Sequence, residues 1–335
     1  MPNPFSWRDG ERLIRFGRGV RDEAPELIER EQFGAFTLLT TERAGASLPS
    51  VVDAATAVVE VPPGRVDEIS AALLPESGDR PLVALGGGRV IDTAKAIAGA
   101  RGGSCAAIPT TLSGAELTPF HRTPKGVQGA RLVRPALVLA DPELMASQPA
   151  EALAASALNA LAHAMEALYA PAANPVAELA ALRGAELIGS GLRADPIARD
   201  GLALGALLAG FASASTGIAI HHATCQTIVR TAGTPHAETN AVMLPHFAGL
   251  MAGRAPAQLG AFARALGAPA ADPAAAAELV AALTARSGKT RLSELGVQEE
   301  QLPPVAAAVV EHPLYASTPE PPSERELLGL LRAAL

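Results

Sequence analysis

The sequence predicts an α/β domain followed by an all-helical domain, and three observations lead to this fold class. Up to about residue 140, short apolar runs that end in Gly, Pro or Thr alternate with segments of helical spacing, which is the pattern of parallel βαβ units. Beyond about residue 145 only helical patterns follow, separated by Pro, Gly and Asn-Pro breaks. Aromatic residues make up 3% of the chain and Ala dominates its 49% hydrophobic residues, which favours close-packed helices. We therefore predict domains at 1–145 and 146–335.

Short apolar segments that end in turn residues are predicted to be the strands of the first domain: 35–41, 54–61, 80–88, 104–111 and 134–142. Two segments of helical spacing lie between them, at 66–76 and 90–100. In the second domain helices are predicted at 149–170, 175–192, 201–215, 255–267, 273–288 and 324–335. The Pro-rich stretch 311–324 is predicted to be disordered. A cleft between the two domains is the expected binding site.

Charge and apolar content exclude several classes of protein. The 34 acidic and 27 basic residues give a net charge of -7 without a basic run, which argues against nucleic acid as a partner. The first residues carry charges where a signal peptide needs an apolar core, and no apolar run reaches the roughly 20 residues of a membrane span. The two cysteines, Cys105 and Cys225, form no disulfide framework. We expect a soluble, cytoplasmic protein that acts on a small molecule and has no membrane partner.

Three consecutive glycines, Gly86, Gly87 and Gly88, stand between a predicted strand and a predicted helix. Glycine lets the backbone approach a ligand closely, and a helix N-terminus offers unpaired N–H groups and the positive end of the helix dipole. This combination suits a pyrophosphate, and Arg89 adds a cation. The alternative is a tight turn that needs glycine for a positive φ, since the spacing is not that of a GxGxxG fingerprint.

Hydroxyl side chains follow the neighbouring predicted strand, at Thr110, Thr111, Ser113 and Thr118. Open α/β sheets bind ligands at the carboxyl ends of their strands, so we predict that these residues contact the same ligand. Capping of the next helix is the alternative, and we give it equal weight.

Imidazoles are concentrated on three helical segments of the second domain. Asn159 and His163 are four residues apart on one helix and Glu166 follows three later, so the three share a face. His222 and His236 lie on later segments and are expected to converge with His163 in the cleft. Zn and Fe sites favour His together with a carboxylate or thiolate, whereas Asn159 is neutral. A metal-free site that uses His as a proton donor or carbonyl polariser is at least as consistent.

Five motifs resemble, in their order, those of the iron-containing (group III) alcohol dehydrogenases, and above all of the maleylacetate reductase branch: GGGRVIDTAKAIA, AIPTTLSGAELTP, DPEL, ALNALAHAMEALYAPAANP and HHATCQTIVRTAGTPHAETNAVMLPH. The resemblance covers nearly the whole chain. It implies a dehydroquinate-synthase-like fold, with an N-terminal dinucleotide-binding domain and an all-α C-terminal domain. It also implies hydride transfer that uses NAD or NADP, and a homodimer.

On the cofactor side, the resemblance assigns the three glycines to the pyrophosphate loop. Asp92 and Lys95 match the acid and the lysine that follow this loop in the family. Thr110 and Thr111 match the pair beside the cofactor.

On the catalytic side, His163, His222 and His236 match three of the four metal-ligand positions of the metal-dependent members. Asn159 stands at the fourth position, where those members carry Asp. Asn is what the maleylacetate reductase branch usually carries, and that branch is regarded as metal-independent. The resemblance therefore implies catalytic residues but no metal.

The chain departs from the family pattern at several positions. Arg89 replaces the serine that usually follows the glycines, and Gln226 and Asn240 stand where the branch has His. Val229 and Arg230 replace two glycines, and STPEPPS replaces NPRP near the C-terminus, with the loss of an arginine. Several changes fall on the substrate side, and our candidate substrate contacts are Arg122, Lys125, Tyr169, His221, Gln226 and Arg230.

We expect an NAD(P)H-dependent reductase of a ketone or unsaturated oxo acid, similar to maleylacetate reductase, in which His236 or His222 polarises the carbonyl and relays the proton. Glu42 and Arg43 follow a strand at a position where the adenine ribose is expected. The acid favours NAD and the base favours NADP, so the sequence leaves the choice between the two cofactors open. Two alternatives remain. One is a repurposed member that catalyses a lyase, cyclase or isomerase step by His acid–base chemistry, and the other is a non-catalytic cofactor-binding scaffold.

Overall fold

The computed structural model describes residues 3–335, which divide into two compact units. The first unit ends at Ser147 and contains every strand among the described residues, and the second, from Gln148, contains helices and short 3-10 turns. The predicted succession of an α/β part and an all-helical part is confirmed.

The first unit is built on one seven-stranded sheet. Its strands are β1 (Phe5–Asp9), β2 (Arg12–Phe16), β3 (Thr37–Thr40), β4 (Ala57–Glu60), β5 (Leu82–Gly86), β6 (Cys105–Pro109) and β7 (Leu137–Ala140). The five strands from β3 onward fall inside the predicted segments. The first two form an antiparallel hairpin that the sequence analysis missed. All other pairs are parallel, as the alternation of strands and helices predicted.

The order of the strands, β1-β2-β7-β6-β5-β3-β4, fixes where a ligand can bind. From β3 the chain adds β4 on one side, then crosses back and adds β5, β6 and β7 on the other side. The direction of winding therefore reverses between β3 and β5, and open α/β sheets bind ligands outside the carboxyl ends of the strands at such a reversal. The three glycines run from the last residue of β5 to the first residue of α5 and thus lie at this point.

Helices cover both faces of the sheet: α1 (Ala24–Arg30), α2 (Glu42–Ser47), α3 (Pro49–Ala54), α4 (Val66–Leu73), α5 (Gly88–Arg101) and α6 (Pro142–Met145). Alternate residues of a strand point to opposite faces. Val83 and Leu85 accordingly pack with residues of α1 and α3, whereas Leu82 and Ala84 pack with residues of α4 and α5. The inner strands β3, β5, β6 and β7 are buried on both faces, as expected for parallel strands, whereas the edge strand β4 alternates between half-buried and exposed residues.

The second unit contains nine helices among its described residues: α7 (Ala150–Ala167), α8 (Pro175–Arg193), α9 (Arg199–Thr216), α10 (Ile220–Ala232), α11 (His236–Ala252), α12 (Pro256–Ala265), α13 (Ala275–Thr284), α14 (Leu302–Val310) and α15 (Glu324–Ala334). A Cβ on Gly184 of α8 would lie 2.9 Å from the carbonyl oxygen of Gly205 on α9. Small residues thus bring helix backbones into direct contact. Part of the stretch predicted to be disordered forms a 3-10 turn, Tyr315–Ser317, and the Tyr315 hydroxyl donates to the carbonyl oxygen of Pro322.

No single helix among residues 3–335 is long and apolar enough to cross a membrane. The pair α9 and α10, bent by 101°, meets the length and composition criteria when its two helices are taken together.

Candidate functional site

The glycine loop forms the start of α5. Gly87 is the N-cap residue, with φ -79° and ψ -175°, and no side chain caps the helix. None of the three glycines has a positive φ, so the turn alternative is wrong. Glycine is needed here for space, because a Cβ on Gly86 would lie 2.7 Å from Val90 and one on Gly87 2.9 Å from the methyl group of Thr111. The uncapped N–H groups of α5 and the exposed guanidinium of Arg89 remain suited to an anion.

The loop after β6 lies against the glycine loop. Thr110 donates its backbone N–H to the carbonyl oxygen of Gly86 at 2.9 Å, and a Cβ on Gly88 would lie 3.0 Å from the Ser113 hydroxyl. The buried Thr111 hydroxyl has no hydrogen-bond partner among residues 3–335. An unpaired buried hydroxyl beside an uncapped helix N-terminus fits a phosphate-containing cofactor. The prediction that both loops serve one ligand is consistent with this contact.

Lys95 has a different position from the one expected for a cofactor ligand. It is fully buried, and its ammonium donates to the carbonyl oxygens of Ala115, Thr118 and Phe120 at 2.9, 3.1 and 2.7 Å. Asp92 lies 2.7 Å from the same nitrogen. The three carbonyl contacts match the three donors of the ammonium group. Lys95 therefore holds the loop that carries Thr111 and Ser113, and its assignment as a direct cofactor contact is corrected. The assignments of Asp92 and Thr118 to the cofactor site stay predictions.

A cavity of about 410 Å³ lies at the carboxyl ends of β3 and β4. Strand β3 pairs with β5, the strand that leads into the glycine loop. Its lining contains three carboxylic acids, Glu42, Asp53 and Glu60, together with Thr40 and Thr41. Arg43, the residue that would favour NADP, is not among the residues that line the cavity. The surroundings of the cavity are therefore acidic.

The centre of the helical unit is a hydrogen-bonded pair of buried residues, Glu166 and His222. Nδ1 of His222 lies 2.6 Å from Oε2 of Glu166. The other oxygen, Oε1, accepts the backbone N–H groups of His221 and His222 at 2.7 and 3.3 Å. Glu166 on α7 thereby satisfies two of the free N–H groups in the first turn of α10. The sequence analysis missed this role, for which the spacing from His163 was the only signal.

Burial shifts the ionisation of both partners. It raises the pKa of Glu166, and burial together with the charge of His236 lowers the pKa of His222 to about 3. Both shifts disfavour the fully charged ion pair. Nε2 of His222 is buried and has no hydrogen-bond partner among the described residues. His222 thus presents an unpaired ring nitrogen, with a carboxyl group at the opposite side of its ring.

His163 and His221 flank the pair. The ring of His163 stacks on that of His222 with centroids 4.2 Å apart, and its Nδ1 lies 3.3 Å from the hydroxyl of Ser213. His221 is fully buried, and burial lowers its pKa to about 3. Its Nε2 lies 3.3 Å from the carbonyl oxygen of Asn240 and its ring packs edge-on against Phe247. The structure thus gives His221 a packing position rather than the substrate contact that we expected.

His236 begins α11 and is exposed. The buried Asn240, one turn later, places its amide nitrogen 2.8 Å from the carbonyl oxygen and 3.3 Å from Nε2 of His236. The charge of His236 contributes to the lowered pKa of His222, and the ring of His163 stacks on that of His222. That His163, His222 and His236 serve one site stays a prediction.

The remaining substrate candidates occupy separate places. Arg122 and Lys125 are exposed in the first unit, beside the acidic start of α4, where Lys125 lies 3.8 Å from Glu68. In the second unit, Tyr169 is buried, with a hydroxyl that has no partner within residues 3–335, and burial raises its pKa well above the usual value.

Gln226 and Arg230 continue the face of α10 that begins with His222, since the three are spaced by four residues. Exposure increases along this face, from the buried His222 through the half-buried Gln226 to the exposed Arg230. The Arg230 guanidinium donates to the hydroxyl of Thr227 at 3.3 Å, so it lies back along the helix toward His222.

The donor set does not fit a metal ion. Asn159 contributes no charge, and its buried Oδ1 has no partner in the described chain. Among residues 3–335, the one group of three His, Cys, Asp or Glu side chains with ligand atoms within 4.8 Å of one another is Glu166, His221 and His222. Its close spacing is explained by the hydrogen bonds described above. The three imidazoles at the family's metal positions do not meet the same criterion.

A parallel sheet with a glycine loop suited to an anion, followed by a helical unit with buried imidazoles, is an arrangement typical of dinucleotide-dependent enzymes. Residues 15–149 match the family described as iron-containing alcohol dehydrogenase, and residues 153–335 match the C-terminal part of the Fe-containing alcohol dehydrogenase family. The chain belongs to the iron-containing alcohol dehydrogenase family.

Within this family the chain is similar to proteins named maleylacetate reductase. It is 34% identical to maleylacetate reductase 1 of Rhodococcus opacus over 90% of this chain and 88% of the relative. It is also 34% identical to maleylacetate reductase of Sphingobium indicum, over 96% of this chain and 95% of the relative. The crystal structure of maleylacetate reductase from Agrobacterium tumefaciens superposes with a TM-score of 0.84 at 29% identity, covering 100% and 99% of the two chains. The protein is an NAD(P)H-dependent reductase.

Proposed function

We propose that this chain reduces an oxo acid, with NADH as the hydride source and without a metal ion. The observation that carries the proposal is the buried pair of Glu166 and His222, in which Nε2 of His222 has no hydrogen-bond partner among residues 3–335. The similarity to maleylacetate reductases supports an unsaturated oxo acid as the substrate.

The protein's part in the reaction is to deliver a proton. A bound reduced nicotinamide supplies a hydride to the carbonyl carbon or to a conjugated carbon, and in both cases negative charge develops on the carbonyl oxygen. His222 donates its Nε2 proton to this oxygen while Oε2 of Glu166 gives its proton to Nδ1, so the ring is neutral before and after. The resulting carboxylate is stabilised by two N–H groups of α10 and takes up a proton from solvent.

Arg230 supplies the cation for the substrate's carboxylate. Its guanidinium lies at the level of Thr227, which is five residues, or roughly 7.5 Å, along the helix axis from His222. A substrate held at both points needs a carboxylate several bonds away from its carbonyl group. Gln226 lies between them and offers a hydrogen bond to the substrate. His312 does not compete as a cation, because burial and the charge of Arg230 lower its pKa.

The acidic cavity at β3 and β4 favours NADH over NADPH. It lies next to the position of the glycine loop, where a pyrophosphate would place the adenosine half of the cofactor. Glu42, Asp53 and Glu60 line it, and carboxylates accept hydrogen bonds from a 2′-hydroxyl but repel a 2′-phosphate.

Metal-independence rests on the neutral ligand at Asn159 and on the engagement of Glu166 with His222. Glu166 is the buried carboxylate nearest these imidazoles, and both of its oxygens already accept or donate hydrogen bonds. The homodimer implied by the resemblance stays a prediction.

The test is NADH and NADPH oxidation with maleylacetate, compared with its methyl esters, on protein dialysed against a chelator. We expect turnover with the free acid, a preference for NADH and no loss after dialysis. In Arg230→Met the KM for the acid should rise about tenfold or more, since a hydrogen bond to a charged group contributes roughly 1.5–3 kcal/mol. Arg183→Met, which removes an exposed cation on α8, is the control and should leave KM unchanged.

Three results would contradict the proposal. Dependence of activity on Fe or Zn would contradict a metal-free mechanism. Equal turnover of acid and esters would exclude recognition of a carboxylate. Absence of turnover, together with no thermal stabilisation by NADH or NADPH, would exclude a reductase, whereas stabilisation without turnover of any oxo acid would favour a non-redox reaction.

A further inference from the structure

We propose that Asn240 is a positioning residue that holds His236 as the tautomer with its proton on Nδ1. The inference rests on the proposed reductase function and deepens it. The sequence left open whether His236 or His222 relays the proton, and the inference assigns a different task to each of these two imidazoles.

The hydrogen bonds of Asn240 fix the orientation of its amide group. Its nitrogen lies 2.8 Å from the carbonyl oxygen of His236. The reversed amide would bring two oxygens together at this distance, so the nitrogen must face His236. Asn240 is fully buried on the first turns of α11, which holds the amide in place.

The same nitrogen fixes the tautomer of His236. It lies 3.3 Å from Nε2, and a second N–H of the amide is available to that ring atom. Nε2 must then accept a hydrogen bond from the amide, because a protonated Nε2 would point its own N–H at the N–H of Asn240. The ring proton of His236 is therefore on Nδ1, whereas that of His222 is on Nε2.

The tautomers give the two rings distinct roles. His222 transfers its Nε2 proton and recovers one from Glu166 through the 2.6 Å contact at Nδ1. At Nε2 of His236 the neighbouring atom is the amide nitrogen of Asn240, whereas Nδ1 of His222 faces a carboxyl group. His236 therefore serves as an N–H donor that polarises the carbonyl oxygen, and Asn240 keeps its proton on Nδ1.

The tautomer is measured directly by ¹⁵N NMR of histidine-labelled protein, with His236 assigned by its loss in His236→Gln. We expect Nε2 of His236 to resonate as an unprotonated nitrogen. In Asn240→Asp a carboxylate replaces the donor, so the proton should move to Nε2 and kcat should fall by roughly 100-fold with KM changed less than about twofold. Asn240→Leu, of similar size, should lose the tautomer preference and lower kcat to a smaller extent.

Thr239→Val is the matched control. The buried Thr239 hydroxyl contacts Thr234 and Pro235 in the same turn, so its loss loosens the helix start but leaves the pair of His236 and Asn240 intact. We expect the wild-type ¹⁵N spectrum for His236 and an unchanged ratio of kcat to KM.

Two results overturn the inference. One is a protonated Nε2 on His236 in the wild-type protein, and the other is an Asn240→Asp variant with unchanged tautomer and kcat. The spectrum does not depend on turnover. A wild-type protein with the expected spectrum but no reductase activity would therefore contradict the proposed function and confirm the tautomer.

Discussion

At the scale of single residues, Glu166 offers a sharp test of the proton transfer. Glu166→Gln keeps an oxygen for the N–H groups of His221 and His222 and an N–H donor for Nδ1, so it preserves the geometry of the pair. The glutamine amide, however, is not an acid and cannot transfer a proton to Nδ1. We expect kcat to fall by roughly 100-fold, with a free energy of unfolding within about 1 kcal/mol of wild type, measured by steady-state kinetics and chemical denaturation.

Glu166→Leu is the companion variant, since it removes both the proton and the hydrogen bonds. Two buried N–H groups of α10 would be left without a partner, at about 1–3 kcal/mol each, so we expect lower stability as well as lower kcat. Wild-type kcat in Glu166→Gln would show that the carboxyl only orients His222.

Single residues were predictable from the sequence where one helix carries them, and less so where two helices meet. The spacing of Asn159 and His163 on α7 identified a shared face. The partner of His222 was not identified, because the contact joins residues 56 positions apart and depends on how α10 packs on α7. Lys95 shows the same limit in the other unit, since only the folded loop reveals its three carbonyl partners.

At the scale of secondary-structure elements, Lys95 links α5 to the loop that follows β6. Lys95→Met would leave the carbonyl oxygens of Ala115, Thr118 and Phe120 without their donor. We expect a loss of roughly 3–5 kcal/mol in the free energy of unfolding and weaker NADH binding, measured by denaturation and fluorescence titration. Lys289→Met, at an exposed position, is the control and should change neither quantity.

A wild-type affinity for NADH in a folded Lys95→Met protein would show that the loop needs no anchor to bind the cofactor. Dissociation constants measured well below the unfolding transition separate this result from simple loss of folded protein.

Most strands were predictable from their apolar runs, whereas the short helices α1, α2, α3 and α14 and the hairpin of β1 and β2 were not predicted. β3, β5, β6 and β7 are buried on both faces and have the apolar runs that such parallel strands require. β1 alternates between half-buried and exposed residues and contains charged side chains, so it lacks such a run. Its hairpin did carry a turn signal, Asp9-Gly10, with Gly10 at φ +61°.

At the scale of the whole molecule, Glu116 makes stability depend on pH. Both of its carboxyl oxygens are buried without a hydrogen-bond partner among residues 3–335, and burial raises its pKa to about 7 against the opposing charges of Lys95 and Arg12. The unfolded chain releases this proton near pH 4.3. The stability contributed by the protonated carboxyl is therefore complete below about pH 4.3 and is lost as the pH rises through about 7.

Glu116→Gln removes the titrating proton while keeping the size of the side chain. We expect the variant to gain stability relative to wild type as the pH rises from 5 to 8.5, by up to roughly 3 kcal/mol, measured by urea denaturation across this range. Glu76→Gln, at an exposed position, should show no such trend. A pH-independent difference for Glu116→Gln would show that the carboxyl is ionised or hydrated in the folded protein.

The amide at position 159 also bears on how this chain is related to metal-binding relatives. Every codon for Asn becomes a codon for Asp by one change of A to G in its first base. The imidazoles at 163, 222 and 236 are already in place, so a single nucleotide separates this neutral set from one with a carboxylate. Under the proposed metal-free function, the form of this site with a carboxylate and the form without one are thus a single nucleotide change apart.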